Sequence, residues 1–263
     1  MPLEIQGKKI HYEIYGEGKP IVILNGIMMS TYSWHQFLSS LSANNQLILV
    51  DFFDQGQSDN YEEEYDQILQ VEVVKTLLDK LKLTDITLVG ISYGGAVALK
   101  FAATYPSDIS KLIVFNTAIQ SGDWQRAIGD SWILSKNDPD NFYATTIPLV
   151  YATDFYNNNP SWIRERKKLL LDKVFTNQTF MDRTERLTNS AKNYNVVDDL
   201  KNITAKTMVI GSEDDYLTPV KAQRKIAEGI KGSDLIIIAD CGHASMYEKP
   251  VVFTSLILGF VNQ

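Results

Sequence analysis

Two patterns of apolar residues alternate along this chain. The first is a set of short unbroken runs: Ile21-Val22-Ile23-Leu24, Leu47-Ile48-Leu49-Val50, Leu112-Ile113-Val114-Phe115, Thr207-Met208-Val209-Ile210 and Leu235-Ile236-Ile237-Ile238. Continuous apolar runs of that length are expected of strands buried on both faces of a parallel sheet. The second pattern has helical spacing. Ile68 to Leu83 places Val71, Val74, Leu77, Leu78 and Leu81 on one side. Trp34 to Leu41, Val220 to Ile230 and Pro250 to Val261 also read as helices. Leu3 to Gln6 and Lys9 to Tyr15 alternate around Gly7-Lys8 and predict a hairpin. Strands alternating with helices imply a mostly parallel sheet covered on both faces.

From about Gln120 to Asn202 the alternation stops. Aromatic-rich segments take its place: Trp124 to Leu134, Phe142 to Tyr151, Trp162 to Phe175 and Phe180 to Ala191. We expect residues 1–119 and 203–263 to form one α/β core and residues 120–202 to be a helical cap inserted into it.

Thr87-Leu88-Val89 reads as a further buried strand. It runs into Gly90-Ile91-Ser92-Tyr93-Gly94 and then into a helix, Ala96 to Ala103, stopped by Pro106. A Gly-x-Ser-x-Gly between strand and helix is the pattern of a nucleophile elbow, a tight turn that exposes a serine hydroxyl above a sheet. A serine needs a base, and the base needs a group to orient it. Of the three histidines, His11 lies in the predicted hairpin and His35 at the start of a helix. His243 follows the strand ending at Ile238 and is the candidate base. The acid is expected after a strand, between Ser92 and His243. Gly211-Ser212-Glu213-Asp214-Asp215-Tyr216-Leu217-Thr218-Pro219 supplies it. Counting three on from Gly211 picks Asp214; counting back four from Pro219 picks Asp215, which we take as the acid. The backbone N–H groups of Tyr93 and Ile27 are the expected oxyanion donors. Met28 and Met29 are candidate pocket residues, and core packing is the plainer role for such side chains.

Composition narrows the partners. A net charge of −7 over 263 residues argues against a nucleic-acid surface. Cys241 is the only cysteine, which excludes an intramolecular disulfide. With so few His and Cys, no metal site is expected. Met1 to Gln6 shows no basic segment followed by an apolar run, and no apolar stretch is long enough to span a bilayer. The expectation is a cytoplasmic protein acting on a small-molecule acyl substrate. The sequence carries no signal for an oligomeric state.

These motifs together resemble the α/β-hydrolase superfamily over nearly the whole chain. The matches are Asn25-Gly26 for the usual His-Gly, Asp51 to Ser58, Gly90 to Gly94, Asp215 to Pro219, Gly242-His243 and Glu248-Lys249-Pro250. The resemblance implies a mostly parallel, doubly wound α/β-hydrolase sheet with an inserted helical cap. It also implies the triad order Ser92, Asp215, His243, and no cofactor. Serine at the elbow sets the chain apart from dehalogenases and epoxide hydrolases, which carry Asp there. Serine-triad relatives include carboxylesterases, lipases, thioesterases, lactonases, C–C bond hydrolases and cofactor-free haloperoxidases. The implied activity is cleavage of a carboxylic ester or related acyl bond. Acyl transfer to an acceptor other than water uses the same residues, and a non-catalytic binding protein on the same scaffold is a third reading. The chain departs from the family at Asn25, where histidine is common, and at Asp54 and Gln55, where a glycine and its neighbour are usual.

Overall fold

The computed structural model describes residues 3–263; Met1 and Pro2 lie outside the described residues. Among these residues, β1 (Leu3–Ile5) and β2 (Lys8–Ile10) form a small antiparallel pair. A second sheet contains β3 (Tyr12–Tyr15), β4 (Lys19–Leu24), β5 (Asn45–Val50), β6 (Thr87–Ile91), β7 (Lys111–Phe115), β8 (Lys206–Ser212) and β9 (Asp234–Ile238). Its order is β3-β5-β4-β6-β7-β8-β9, and only β3 runs antiparallel to its neighbour.

The predicted second hairpin strand is divided. The chain breaks at His11, whose N–H donates to Ser58 Oγ (2.9 Å) and whose carbonyl accepts from Asp51 (3.0 Å). Those bonds take the His11 backbone out of the small sheet and leave β3 to pair with β5.

The apolar runs sort into two faces with period two. Val22, Leu24, Ile48, Val50, Leu88, Leu112, Val114 and Val209 lie in one core cluster. Ile21, Ile23, Leu47, Leu49, Val89, Ile113, Phe115 and Ile210 lie in the other. After a 3-10 turn over Thr31–Phe37 comes α1 (Leu38–Leu41), then α2 (Ile68–Leu81) and α3 (Tyr93–Thr104). The helix predicted over Trp34 to Leu41 is therefore half 3-10, to Phe37, and half α-helix, from Leu38. Asp51 Oδ1 accepts from the Thr31 N–H (2.7 Å) and fixes where that turn begins.

Residues 120–202 contribute α4 (Asp123–Ser135), α5 (Pro139–Val150), α6 (Thr153–Asn158), α7 (Pro160–Leu169) and α8 (Gln178–Ser190). The short α6 was not foreseen, because Thr153–Asn158 has no buried residue to set a period. The core closes with α9 (Val220–Gly229), α10 (Ser245–Glu248) and α11 (Pro250–Val261). Helices α2, α3 and α9 cover the first face through Leu77, Val97, Phe101 and Ile226. Trp34, Leu41 and α11 cover the second, where Phe253 stacks on Trp34 and meets Phe115 at 4.5 Å.

From β4 the chain steps to β5 on one side, then returns to lay β6 through β9 on the other. In such a sheet the crevice at the strand carboxyl ends, where the direction reverses, is the natural ligand site. Here it lies between the ends of β4 and β6, at Leu24 and Ile91.

Candidate active site

Ser92 is the residue between β6 and α3, and it carries the strain of the turn. Its φ is 53° and its ψ −114°, a region costing ~1–3 kcal/mol for a residue with a Cβ. Gly90 and Gly94 do not have positive φ; what they supply is closeness. A Cβ on Gly90 would stand 2.5 Å from the Gly94 carbonyl oxygen, and one on Gly94 would press onto the Leu24 carbonyl. The turn is held further by Thr117, whose hydroxyl donates to the Ser92 carbonyl (2.8 Å).

His243 and Asp215 come to Ser92 from the ends of β9 and β8. The two loops are laced together by N–H bonds from Glu213 to Ile238 and from Asp214 to Cys241, each 2.9 Å. Asn116 donates from Nδ2 to the His243 carbonyl (2.7 Å). The result is a continuous line: Ser92 Oγ lies 2.9 Å from His243 Nε2, and His243 Nδ1 lies 2.8 Å from Asp215 Oδ2. Asp215 is 3% exposed. It accepts from the N–H groups of Leu217 (2.8 Å) and Thr218 (2.9 Å) and from the Thr218 hydroxyl (2.7 Å). A buried carboxylate needs such donors. As a carboxylate, Asp215 only accepts, so Nδ1 is the donor and the Nε2 lone pair faces the serine hydroxyl. Among the described residues Asp214 makes no hydrogen bond to the His243 ring, whose partners are Ser92, Asp215 and Thr218. The hydroxyl of Thr218 was not singled out from sequence, although it stands inside the same motif.

The His243 loop has a second anchor. Glu248 accepts from the Gly242 N–H (3.0 Å) and from the Ala152 N–H (3.1 Å), tying that loop to the start of α6. Burial raises its pKa above the usual 4.5, with the two backbone donors pulling the other way. A raised folded pKa means the folded chain holds this proton more tightly than the unfolded one. The group's contribution to stability therefore falls as pH rises from 4.5 through the folded value. Glu248→Gln removes that titration. Urea unfolding across this pH range is expected to show the variant gaining on the wild type as pH rises; parallel pH profiles would contradict it.

Tyr93 opens α3, so its N–H has no acceptor one turn back, and the positive end of the helix dipole lies at Ser92. Ile27 follows the end of β4 and lines the same space as Ser92. Two cavities, of about 530 and 140 Å3, meet at the serine. Both are lined by Ile27, Ser92, Trp132, Leu217 and His243. Met28 and Met29 line the larger one, as does His35, with Tyr151, Leu170, Phe175 and Met246. The Arg166 guanidinium, 4.9 Å from the Tyr247 ring centre, is a cation in that wall. His11 lies away from both cavities, 3.0 Å from Glu13.

The unusual residues of the loop after β5 are all engaged. Asp54 adopts φ 65°, the conformation that glycine takes most easily. Its fully buried carboxylate accepts two bonds from Arg186 of α8 (2.6 and 2.9 Å) and one from the Tyr65 hydroxyl (2.9 Å). Arg183, one turn earlier, donates to Asn60 Oδ1 and to the carbonyls of Gly56 and Ser58. These bonds fasten α8 to the core. Asn25 receives the Trp34 indole N–H (2.7 Å) and donates to the Val50 carbonyl (2.8 Å).

This sheet, with a serine, a histidine and an aspartate in register at its strand ends, defines the α/β-hydrolase class. The chain belongs to that family: the α/β hydrolase fold model matches residues 19–250. Among solved structures it is similar to MGS-M2, an α/β hydrolase enzyme from a Medee basin deep-sea metagenome library. The two are 45% identical, covering 98% of this chain and 96% of that one, with a TM-score of 0.96. It is 27% identical to the AB hydrolase superfamily protein YisY of Bacillus subtilis, over 95% of this chain and 94% of that protein. Identity is also 27% to 2-hydroxy-6-oxo-6-phenylhexa-2,4-dienoate hydrolase of Comamonas testosteroni, over 97% and 91%.

Proposed function

We propose that this chain hydrolyses a carboxylic ester or a close acyl relative, such as a thioester or lactone, through an acyl-enzyme on Ser92. The observation that carries this reading is the unbroken line from Ser92 Oγ through His243 to the buried Asp215. Ser92 Oγ attacks the carbonyl carbon while His243 Nε2 takes its proton. Asp215 holds the imidazole tautomer and stabilises the imidazolium. The N–H groups of Ile27 and Tyr93 receive the oxyanion. The tetrahedral intermediate expels the alcohol, which takes the proton from Nε2. Water then attacks the acyl-enzyme by the same route, releasing the acid and restoring the Ser92 hydroxyl.

Residues 120–202 act as the cap in this reading. Trp132, Tyr151, Leu170 and Phe175 of that stretch wall the larger cavity, and Arg183 and Arg186 anchor it. A substrate bound at Ser92 places one part in each cavity, and the mainly apolar walls suit a hydrocarbon acyl or alkyl group. The test is labelling with a fluorophosphonate probe, followed by intact mass and peptide mapping. A single adduct on Ser92, with hydrolysis of p-nitrophenyl acetate or butyrate, is expected. An unlabelled protein would overturn the proposal.

A further inference from the structure

We infer that Gln55 is a positioning residue for the oxyanion hole, acting through the peptide that joins Gly26 to Ile27. The inference rests on the ester-hydrolase reading above. Gln55 is 2% exposed and lines neither cavity, so it does not touch substrate. Its Nε2 donates to the Gly26 carbonyl at 2.9 Å. That carbonyl belongs to the same planar unit as the Ile27 N–H. In a trans peptide the two groups point in opposite directions. Holding the carbonyl toward Gln55 therefore holds the N–H away from it and fixes the direction of the oxyanion donor. A second bond, from the Met29 N–H (3.1 Å), anchors the same oxygen. Bonds accepted by a carbonyl also polarise the N–H across the peptide and strengthen it as a donor.

The orientation of the Gln55 amide is dictated by its surroundings. Its Oε1 accepts from Asn25 Nδ2 (3.2 Å) and from the Phe52 N–H (3.3 Å). A flipped amide would set its NH2 against those two donors and its oxygen against the Gly26 carbonyl. Asn25 is locked in turn by Trp34 and Val50. Asn25 and Gln55, two of the chain's departures from the usual family residues, thus form one buried network behind the oxyanion loop.

The test compares Gln55→Leu with the wild type on p-nitrophenyl butyrate. kcat is expected to fall about 10- to 100-fold with KM little changed. That is less than the ~10²–10³ for outright loss of an oxyanion donor, because the Ile27 N–H is misdirected rather than removed. Affinity for butylboronic acid, which forms a tetrahedral anionic adduct on the serine, is expected to fall in the same proportion. A purely structural role would not link those two losses. If Gln55→Leu does not fold, Gln55→Glu decides. A protonated carboxyl can donate to Gly26 and an ionised one cannot, so its kcat relative to the wild type is expected to fall as pH rises. A folded Gln55→Leu with wild-type kcat and boronate affinity, or a flat pH ratio for Gln55→Glu, would overturn the inference. A wild-type protein inert to fluorophosphonate would instead overturn the ester-hydrolase reading on which it rests.

Discussion

Ser92→Ala is expected to lower kcat for p-nitrophenyl butyrate by about 10⁴- to 10⁶-fold, the usual cost of losing one member of a serine triad. No fluorophosphonate adduct should form. In the proposed mechanism the hydroxyl is the attacking group, and among the described residues no other serine hydroxyl is hydrogen-bonded to His243 Nε2. The fold should survive, because among the described residues the Ser92 side chain hydrogen-bonds only to His243. Stability gives an independent readout of the same turn. Ser92 holds φ 53°, and alanine keeps the Cβ that makes this angle costly. Glycine does not, so Ser92→Gly is expected to melt above Ser92→Ala by a difference worth ~1 kcal/mol. Equal melting temperatures would mean that the turn is not strained. Retained turnover in either variant would remove Ser92 from the chemistry.

Asp215→Asn is expected to cost about 10⁴-fold in kcat, while Asp214→Asn leaves it near the wild-type value. An asparagine at 215 keeps the shape but can offer an N–H to His243. That favours the tautomer whose Nε2 carries a proton, and such a nitrogen cannot accept from Ser92. Asp214 has no bond to the imidazole, and its link to the site is through its backbone N–H to Cys241, which asparagine retains. Parallel steady-state kinetics of the two variants settle the assignment. A large loss at 214 with none at 215 would reverse it. The comparison matters because the two aspartates are adjacent and chemically identical until the fold separates them.

Much of this site was legible in the chain. Gly90 to Gly94 between an apolar strand and an apolar helix is a local pattern, and local patterns survive in sequence. His243 was picked by elimination among three histidines and by its place after a strand. Residues whose roles depend on partners far along the chain were less visible. Asp54 read as a departure from a glycine. Its partner Arg186 lies 132 residues away, and no spacing rule connects them. Gln55 and Asn25 read only as departures from the family pattern, and the bond between their amides joins positions 30 residues apart.

The sequence by itself determined the alternation of strands and helices in the α/β core, the two-faced burial of the sheet, and which strand-end loops hold Ser92, Asp215 and His243. These follow from period and from turn residues, which act over a few positions. Only the tertiary structure set Asp215 rather than Asp214 against His243, divided the N-terminal hairpin at His11, and joined two cavities at Ser92. It also showed α8 tied to the loop after β5. Each of these depends on hydrogen bonds and packing between residues distant in the chain. A buried carboxylate or amide takes its partners from whatever the fold brings within about 3 Å, and linear order does not record that distance.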